Sequence, residues 1–248
     1  LRDSDDRLAG FLQQCMTTAA AADDAAGLAD VQIAFLAQFP DHPDAPAVEL
    51  ALTDNYAACD HLEVLRSSPN IAGRPGFIPT ITLACAHTAE FFQDYATAIE
   101  RYQWFIDNAP ADERVVEARD GLARSLIADA RLNGAGSLPQ PVDTGGSGTA
   151  RTTITIYNDS PEELRIVMSG PESRIEILAA SPTSSEYSGV GPPTCRTDVP
   201  RLDLQVQDGD YQVLVESTGG GVSPFVGTWS LGRGDAYRSC FFVVTAIG

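Results

Sequence analysis

The chain has 248 residues, 44% of them hydrophobic and 20% charged, which is typical of a globular protein of one or two domains and excludes intrinsic disorder, collagen and a dense disulfide scaffold. Its 34 acidic and 16 basic residues give a net charge of −18, so nucleic acid is an unsuitable partner and anionic lipid is disfavoured, because both require clustered cations. No run of about 18 apolar residues occurs, and the sequence therefore predicts no membrane span.

The N-terminal half is rich in Ala at helical spacing, and two of its segments resemble each other. Residues 27–59 align with residues 97–129 after a shift of 70 positions, which places Pro40 on Pro110. Each segment is typical of a helix that ends near a proline and is followed by a second helix. Seventy residues are about twice the period of a helix–turn–helix repeat, so we expect helical hairpins with an irregular unit between the two segments.

The segment from Ile78 to Pro110 resembles one unit of the tetratricopeptide repeat (TPR) family. It contains an Asp94-Tyr95 turn and an Ala98-Ile99 pair in the following helix, and it ends at the proline. The resemblance implies a TPR-like α-solenoid of antiparallel helix pairs. Three residues depart from the family pattern and leave another antiparallel helical array as the alternative: Gln93, Phe105 and Thr82.

In the TPR family, the first helix of each repeat lines a concave groove that binds peptides or partner proteins. The resemblance covers roughly residues 5–131, and it implies a partner-binding surface at five matching positions: Thr80, Leu83, His87, Glu90 and Phe91. The basic cluster with which members of the family clamp a peptide carboxylate is missing here, so the resemblance does not extend to that ligand. A solvated helix face at His87 and Glu90 is the alternative interpretation.

Residues 133–150 are rich in Gly, Pro, Ser and Thr and show no hydrophobic period, which predicts a linker. They contain Asp143-Thr144-Gly145, the triplet of aspartic proteases, but that chemistry needs two such loops and the sequence holds one. We therefore expect a helical-repeat domain at residues 1–132, a linker, and a second domain at residues 151–248.

Seven segments of the second domain alternate apolar and polar residues with period two, which is typical of half-buried strands. They are residues 151–158, 163–169, 173–180, 201–207, 210–217, 224–231 and 236–246. Turn residues separate them, so we expect an antiparallel β-sandwich with Trp229 and Phe241–Val244 in its core. The run from Asp208 to Ser217 weakly resembles secreted bacterial immunoglobulin-like and jelly-roll modules, which implies an envelope or extracellular setting.

The five cysteines show no metal-binding spacing and the three histidines are scattered, so we expect no metal and no other cofactor. Cys195 and Cys240 are the two in the C-terminal part, and a disulfide between them would stabilise the fold by roughly 3–4 kcal/mol. Cys15 and Cys85 are 70 residues apart and are most simply small buried hydrophobes, although Cys59 can pair with either. The cysteines favour an extracytoplasmic location.

The sequence contains no Gly-x-Ser-x-Gly, no His-Glu-x-x-His and no lysine for a phosphate loop, so we expect no enzyme activity. We favour a non-catalytic interaction or scaffold protein of the bacterial cell envelope or exterior, which docks a protein partner or assembles with itself. One alternative is a glycan-binding module that uses Tyr157, Tyr187 or Tyr237. Another is a structural subunit of an extracellular assembly. We interpret Leu1, in place of Met, as the start of a processed or trimmed chain, with which an upstream anchor is compatible.

Overall fold

The computed structural model of the chain describes residues 2–184, 187–188, 191–192, 194–220 and 222–245. Backbone contacts divide the chain into two compact units, residues 1–121 and 122–248. Helices fill the first unit and strands dominate the second, so this is a multidomain α + β protein, as the sequence predicts. The predicted boundary follows residue 132, where the composition changes, whereas the two units divide inside the last helix.

Eight α-helices, counted within the described residues, precede the first strand. They are α1 (Arg2–Ala21), α2 (Ala25–Gln38), α3 (Ala45–Thr53), α4 (Leu62–Ser67), α5 (Pro69–Ala72), α6 (Phe77–Phe91), α7 (Tyr95–Asn108) and α8 (Val115–Leu132). A 3-10 helix, Tyr56–His61, lies between α3 and α4. Because α1 packs against α2 and α6 against α7, two long hairpins flank a middle section of short helices.

The turns of the two long hairpins recur at a spacing of 70 residues. Asp24 and Asp94 are the N-caps of α2 and α7, and the carboxylate of each accepts a hydrogen bond from the backbone N–H three residues later. The residue before each cap, Asp23 or Gln93, has a positive φ of 55° or 63°. The internal repetition of the sequence therefore corresponds to a repeated backbone geometry.

A disulfide joins Cys59 of the 3-10 helix to Cys85 of α6, with 5.4 Å between their Cα atoms. The guanidinium of Arg101 in α7 donates hydrogen bonds to the carbonyl oxygens of Cys85 and Cys59, at 2.9 and 3.2 Å. The interpretation of Cys85 as a simple buried hydrophobe was wrong, because tertiary packing brings the middle section against α6. Among the described residues, Cys15 keeps a free thiol.

The described part of the second unit contains eleven strands. They are β1 (Gly136–Ser137), β2 (Val142–Gly146), β3 (Thr152–Asp159), β4 (Leu164–Ser169), β5 (Arg174–Leu178), β6 (Tyr187–Ser188), β7 (Arg201–Val206), β8 (Gly209–Ser217), β9 (Phe225–Leu231), β10 (Asp235–Phe242) and β11 (Val244–Thr245). Each of the seven segments with period-two alternation contains at least one strand. Burial that alternates between the faces of a sheet explains this agreement.

The segment predicted as a linker, residues 133–150, instead contributes β1 and β2. The carbonyl of Pro139 accepts a hydrogen bond from Nε1 of Trp229 at 2.9 Å, and Leu138 is buried in the core of the second unit. Composition misses such edge strands because main-chain pairing, not side-chain alternation, holds them: Val142 and its neighbours in β2 are all exposed. The Asp143-Thr144-Gly145 triplet thus lies in an edge strand.

Two sheets and a short pair of strands form the second unit. The strand orders are β1-β9-β8-β4-β5, β2-β10-β3-β7 and β11-β6. The expectation of a purely antiparallel arrangement was wrong, because β1 pairs with β9, β10 with β3 and β11 with β6 in parallel. Strands this far apart in sequence are not joined by a tight hairpin, so β10 can lie beside β3 and run in the same direction.

Side chains from both large sheets contribute to one buried cluster. Ile154 and Ile156 of β3 lie in it with Val213 of β8 and the indole of Trp229, which is fully buried as predicted. The second half of that prediction was wrong: the side chains of Phe241–Val244 are half-buried or exposed. Phe241 packs against the edge of the cluster, because β10 is covered less completely than β3.

A buried polar turn connects β3 to β4. Nδ2 of Asn158 donates hydrogen bonds to the carbonyl oxygens of Glu162 and Ala179, at 2.8 and 2.9 Å. Its Oδ1 accepts from the backbone N–H and the hydroxyl of Ser160, at 3.0 and 2.6 Å. The side chain is fully buried, so these four bonds replace the water that it leaves.

The predicted disulfide between Cys195 and Cys240 is present, with the two Cα atoms 5.7 Å apart. It ties the loop before β7 to β10. With Cys59–Cys85, it makes two disulfides within the described residues. Both are compatible with an oxidising environment. No helix of the described chain has the length and apolar character needed to cross a bilayer.

Candidate functional site

Helix α6 carries all five residues that the TPR resemblance assigns to partner binding. The helix begins after Gly76, whose φ of 72° favours glycine, and the hydroxyl of Thr80 donates a hydrogen bond to the Gly76 carbonyl at 2.8 Å. The Cys59–Cys85 disulfide fixes the middle of the helix. At the far end, the chain turns at Gln93 into α7. Covalent and hydrogen-bonded constraints therefore hold α6 along its whole length.

A polar cluster forms at the C-terminal half of α6. The hydroxyl of Tyr102 in α7 donates a hydrogen bond to Oε2 of Glu90 at 2.6 Å, and the Tyr102 ring lies 5.6 Å from the ring of His87. Nε2 of His87 lies 3.3 Å from Oε1 of Glu117 in α8. Since the Tyr102 ring is fully buried, it holds the Glu90 carboxylate at the border between core and solvent. Two of the predicted residues, His87 and Glu90, are thus brought together.

A glycine in α8 makes room for this tyrosine. A Cβ atom built on Gly121 would lie 2.3 Å from Cζ of Tyr102 and 2.6 Å from its Cε1. Real Cβ contacts are essentially never shorter than 3.0 Å. The close approach of α8 to α7 therefore depends on the missing side chain at Gly121, a role that the sequence analysis did not recognise.

Two phenylalanines are exposed where α6 ends. Phe91 is 80% exposed and Phe92 is 67% exposed, and their ring centroids lie 5.3 Å apart in an edge-to-face arrangement. We call them the Phe91–Phe92 pair. The resemblance to the TPR family assigns Phe91 to partner binding and does not include Phe92. A Phe-Phe sequence directly before a turn was the signal that could have found both, since core packing seldom reaches a hairpin tip.

The other two predicted residues do not join this surface. Leu83 is only 3% exposed and belongs to the interior. Oγ1 of Thr80 accepts a hydrogen bond from Nη2 of Arg114 at 3.1 Å. Arg114 is itself bound by the Asp112 carboxylate at 2.7 Å, and this hydrogen bond lowers the pKa of Asp112 from 3.8 to about 2. The predicted set therefore divides into a structural part and a part at the C-terminal end of α6.

The tyrosines proposed for glycan binding are engaged within the second unit. Tyr157 is buried. The hydroxyl of Tyr187 donates a hydrogen bond to Oδ2 of Asp159 at 2.6 Å, and its ring contacts Phe242. The Tyr237 hydroxyl accepts a hydrogen bond from the Gly232 N–H at 2.9 Å. Tyr157 is therefore closed to a stacking sugar, whereas Tyr187 and Tyr237 are half-buried.

Comparison with protein-family models, with curated protein sequences and with solved structures finds no match to the chain. Within the described residues, no three side chains of His, Cys, Asp or Glu are grouped so that they could hold a metal ion. What the protein binds must therefore be inferred from its own surface. The most unusual part of the candidate site is the Phe91–Phe92 pair beside the Glu90 carboxylate.

Proposed function

We propose that the protein is a non-catalytic interaction or scaffold protein and that its helical unit docks a protein partner at the C-terminal end of α6. The exposure of the Phe91–Phe92 pair carries this proposal. Burying one Phe side chain is worth about 1.5–3 kcal/mol, so a partner that covered both rings would gain about 3–6 kcal/mol before the costs of association. Aromatic side chains are also enriched at protein–protein interfaces.

The groups around the pair favour a partner with basic residues. Glu90 and the N-cap Asp94 are acidic and adjoin the two rings in sequence, and α6 directs its carbonyl ends to the same tip. Tyr102 already holds Glu90 in place, so binding orders this carboxylate at little further entropic cost. The net charge of −18 would also speed the approach of a basic partner. The proposed ligand is thus a protein segment with an apolar residue next to Arg or Lys.

The proposed architecture behind this surface is a TPR-like α-solenoid followed by a β-sandwich. The solenoid is supported by the two hairpins whose caps and turns recur at a spacing of 70 residues. The β-sandwich is supported by the single cluster to which both large sheets contribute. In this architecture, helices present the docking surface and the second unit supplies anchorage or a further contact surface.

We place the protein in the bacterial cell envelope or exterior. The two disulfides support an oxidising compartment, since thiols of cytosolic proteins are kept reduced. The acidic surface also supports a soluble setting free of nucleic acid. Determining where the unmodified protein is located in the cell that makes it, by fractionation and immunodetection, tests this part: recovery of reduced protein from the cytoplasm would contradict it.

A photo-crosslinking analogue of phenylalanine in place of Phe91 tests the docking site in the full chain. The matched control carries the same analogue in place of Leu50, which is exposed on α3. Both proteins are illuminated in an extract of the cells that make the chain. We expect a protein product specific to position 91. Products identical at both positions would contradict the proposed site.

Affinity measurements on the captured partner supply the second half of the test. We expect the double variant Phe91→Ala/Phe92→Ala to bind the partner at least tenfold more weakly than the wild type, because the two rings that the partner would bury are absent. Leu50→Ala should bind as the wild type does. Equal dissociation constants for wild type and double variant, by calorimetry, would show that the pair does not dock the partner.

A further inference from the structure

A second apolar surface follows helix α1, away from the residues already discussed. Six residues form it, five of them at helical spacing in α1 and Ala22 in the turn directly after it, and we call them the α1 stripe: Leu8, Phe11, Cys15, Thr18, Ala19 and Ala22. Between most of the stripe and α2 lies a groove of about 460 Å³. Leu8 and Phe11 are 42% and 60% exposed although both are large and apolar. The stripe therefore leaves unburied the kind of surface that helices usually cover.

The repeated hairpin shows what covers this face elsewhere in the same chain. At a spacing of 70 residues, the counterparts of Leu8, Phe11 and Cys15 are three buried residues of α6: Ile78, Ile81 and Cys85. The helices of the middle section, α3, α5 and the 3-10 helix, contact α6, and Cys59 adds the disulfide. The middle section, including the 3-10 helix that carries Cys59, thus covers the face of α6 that is equivalent to the α1 stripe. The α1 stripe also contains large apolar residues and a cysteine, but its Leu8 and Phe11 are exposed.

We propose that the α1 stripe binds the α1 stripe of a second copy of this chain in a two-fold dimer, with the two Cys15 residues at its axis. Cys15 lies midway between Leu8 and Ala22 in sequence. An antiparallel two-fold crossing therefore places Phe11 opposite Ala19 of the other copy, and Leu8 opposite Ala22. Large residues meet small ones on both sides of the axis, which is the self-complementarity that an isologous contact needs.

Charge and area determine how strong such a contact is. The same register brings Arg7 towards Asp23 of the other copy, which lies in the turn after α1, so unlike charges approach each other at both ends of the stripe. The stripe is only about 21 Å long, and a stable interface buries about 800 Å² per partner. Each copy also carries a net charge of −18, which opposes association. The non-covalent dimer is therefore weak, and a disulfide between the two Cys15 residues makes it permanent.

The oxidation balances with a small disulfide such as oxidised glutathione as the oxidant. The thiolate of one Cys15 attacks that disulfide, forms a mixed disulfide and releases one glutathione thiol. The Cys15 thiolate of the second copy then attacks the protein sulfur of the mixed disulfide and releases the second glutathione thiol. Two protein thiols are oxidised and one glutathione disulfide is reduced. The half-buried position of Cys15 leaves the sulfur within reach of such a reagent.

The test uses the full chain at about 100 μM in a glutathione redox buffer, followed by light scattering and a non-reducing gel. We expect a covalent dimer of the wild type and none of Cys15→Ser. Phe11→Asp should slow dimer formation about tenfold or more, whereas the control Val64→Asp, at an exposed site on α4, should not. A wild type that stays monomeric, or equal slowing by the two Asp variants, would overturn the proposal.

Peptide mapping identifies the linkage. Cleavage after Arg7 and before Asp23 releases residues 8–22, whose single cysteine is Cys15. The expected product is this peptide linked to itself. A link between Cys15 and an unrelated protein would show that another partner occupies the stripe, and would overturn the second copy as its occupant.

The antiparallel register has its own experiment in a Cys15→Ser background. The double variant Phe11→Cys/Ala19→Cys should form 11-to-19 links between copies, whereas either single variant should remain largely monomeric. Links of 11 to 11 would contradict the antiparallel crossing. Circular dichroism confirms that each variant keeps its helices. Because Phe91→Ala/Phe92→Ala leaves the stripe intact, it should dimerise normally, so failure of the partner-docking proposal and failure of this one are distinguishable.

Discussion

Gly121→Ala should destabilise the helical unit, although glycine is a poor residue for the middle of a helix. In α8, Ala in place of Gly would ordinarily stabilise by about 0.5–1 kcal/mol, because it restricts the unfolded chain. Here the new Cβ would lie 2.3 Å from Cζ of Tyr102. The ring is fully buried and its hydroxyl is bound to Glu90, so it has little freedom to move away.

The magnitude follows from these opposing contributions. Overpacking a well-filled interior by a methyl group costs about 1–3 kcal/mol. The 2.3 Å contact is far below 3.0 Å, so the cost falls in the upper part of that range, about 2–3 kcal/mol; after subtraction of the ordinary gain, we expect a net loss of about 1–2.5 kcal/mol in the free energy of unfolding. The steric contribution therefore decides the sign. If the ring does shift, the hydrogen bond to Glu90 lengthens, and the polar cluster beside the Phe91–Phe92 pair is disturbed as well.

Urea unfolding followed by circular dichroism at 222 nm measures this loss, because helices dominate that signal. Gly10→Ala is the matched control: Gly10 lies inside α1, and among the described residues no atom comes within 4 Å of the place that its new Cβ would occupy. This control should stabilise the fold by about 0.5–1 kcal/mol. Adding Tyr102→Leu to Gly121→Ala should cost less than the sum of the two single changes, since the clash is removed. A Gly121→Ala protein as stable as the Gly10→Ala control would refute the reasoning.

Three further changes test other parts of the structure. Asp112→Asn should lower the free energy of unfolding by about 1 kcal/mol at neutral pH after solvent screening. Since the pKa of Asp112 is lowered from 3.8 to about 2, its contribution to stability is present above about pH 4 and is lost as the pH falls towards 2. Urea titrations at several pH values should therefore show a flatter acid dependence of stability for the variant than for the wild type. Cys59→Ser/Cys85→Ser opens a disulfide between residues 26 positions apart and should lower the free energy of unfolding by roughly 3–4 kcal/mol, with unchanged stability counting against the pairing. Asn158→Ala removes four buried hydrogen bonds and should lower the free energy of unfolding, measured by calorimetry, by about 3 kcal/mol. Asn133→Ala, at an exposed site, should lower it by less than about 0.5 kcal/mol.

Local patterns predicted the strands best where burial alternates along the strand. In β7, Leu204 and Val206 are buried whereas Asp203 and Gln205 are exposed, as the period-two pattern requires. The pairing of strands was not predictable in the same way. The parallel contact of β10 with β3 joins residues about 80 positions apart, and no local signal records which distant strand is chosen.

The candidate site was predicted only in part for a related reason. Leu83 and His87 lie one turn apart on α6, and the sequence assigns both to one surface. Leu83 is nonetheless buried, because the degree of cover along a helix depends on the neighbouring helices. The pairing of Cys59 with Cys85 likewise depends on packing, which brings the middle section against α6. Phe91 is exposed at the tip of the hairpin, as a place on a binding surface requires, because few neighbours can reach that position.

The place of β10 within its sheet has a consequence for the order in which the chain acquires its structure. β10 lies between β2 and β3, although it is the last long strand to be synthesised. Until residue 242 has left the ribosome, β2 has no partner strand and β3 is paired with β7 alone, whereas the α1–α2 hairpin needs only local contacts. Nascent chains that stop short of β10 would display two unpaired edges, so premature termination near residue 230 should produce aggregates rather than a trimmed but soluble domain.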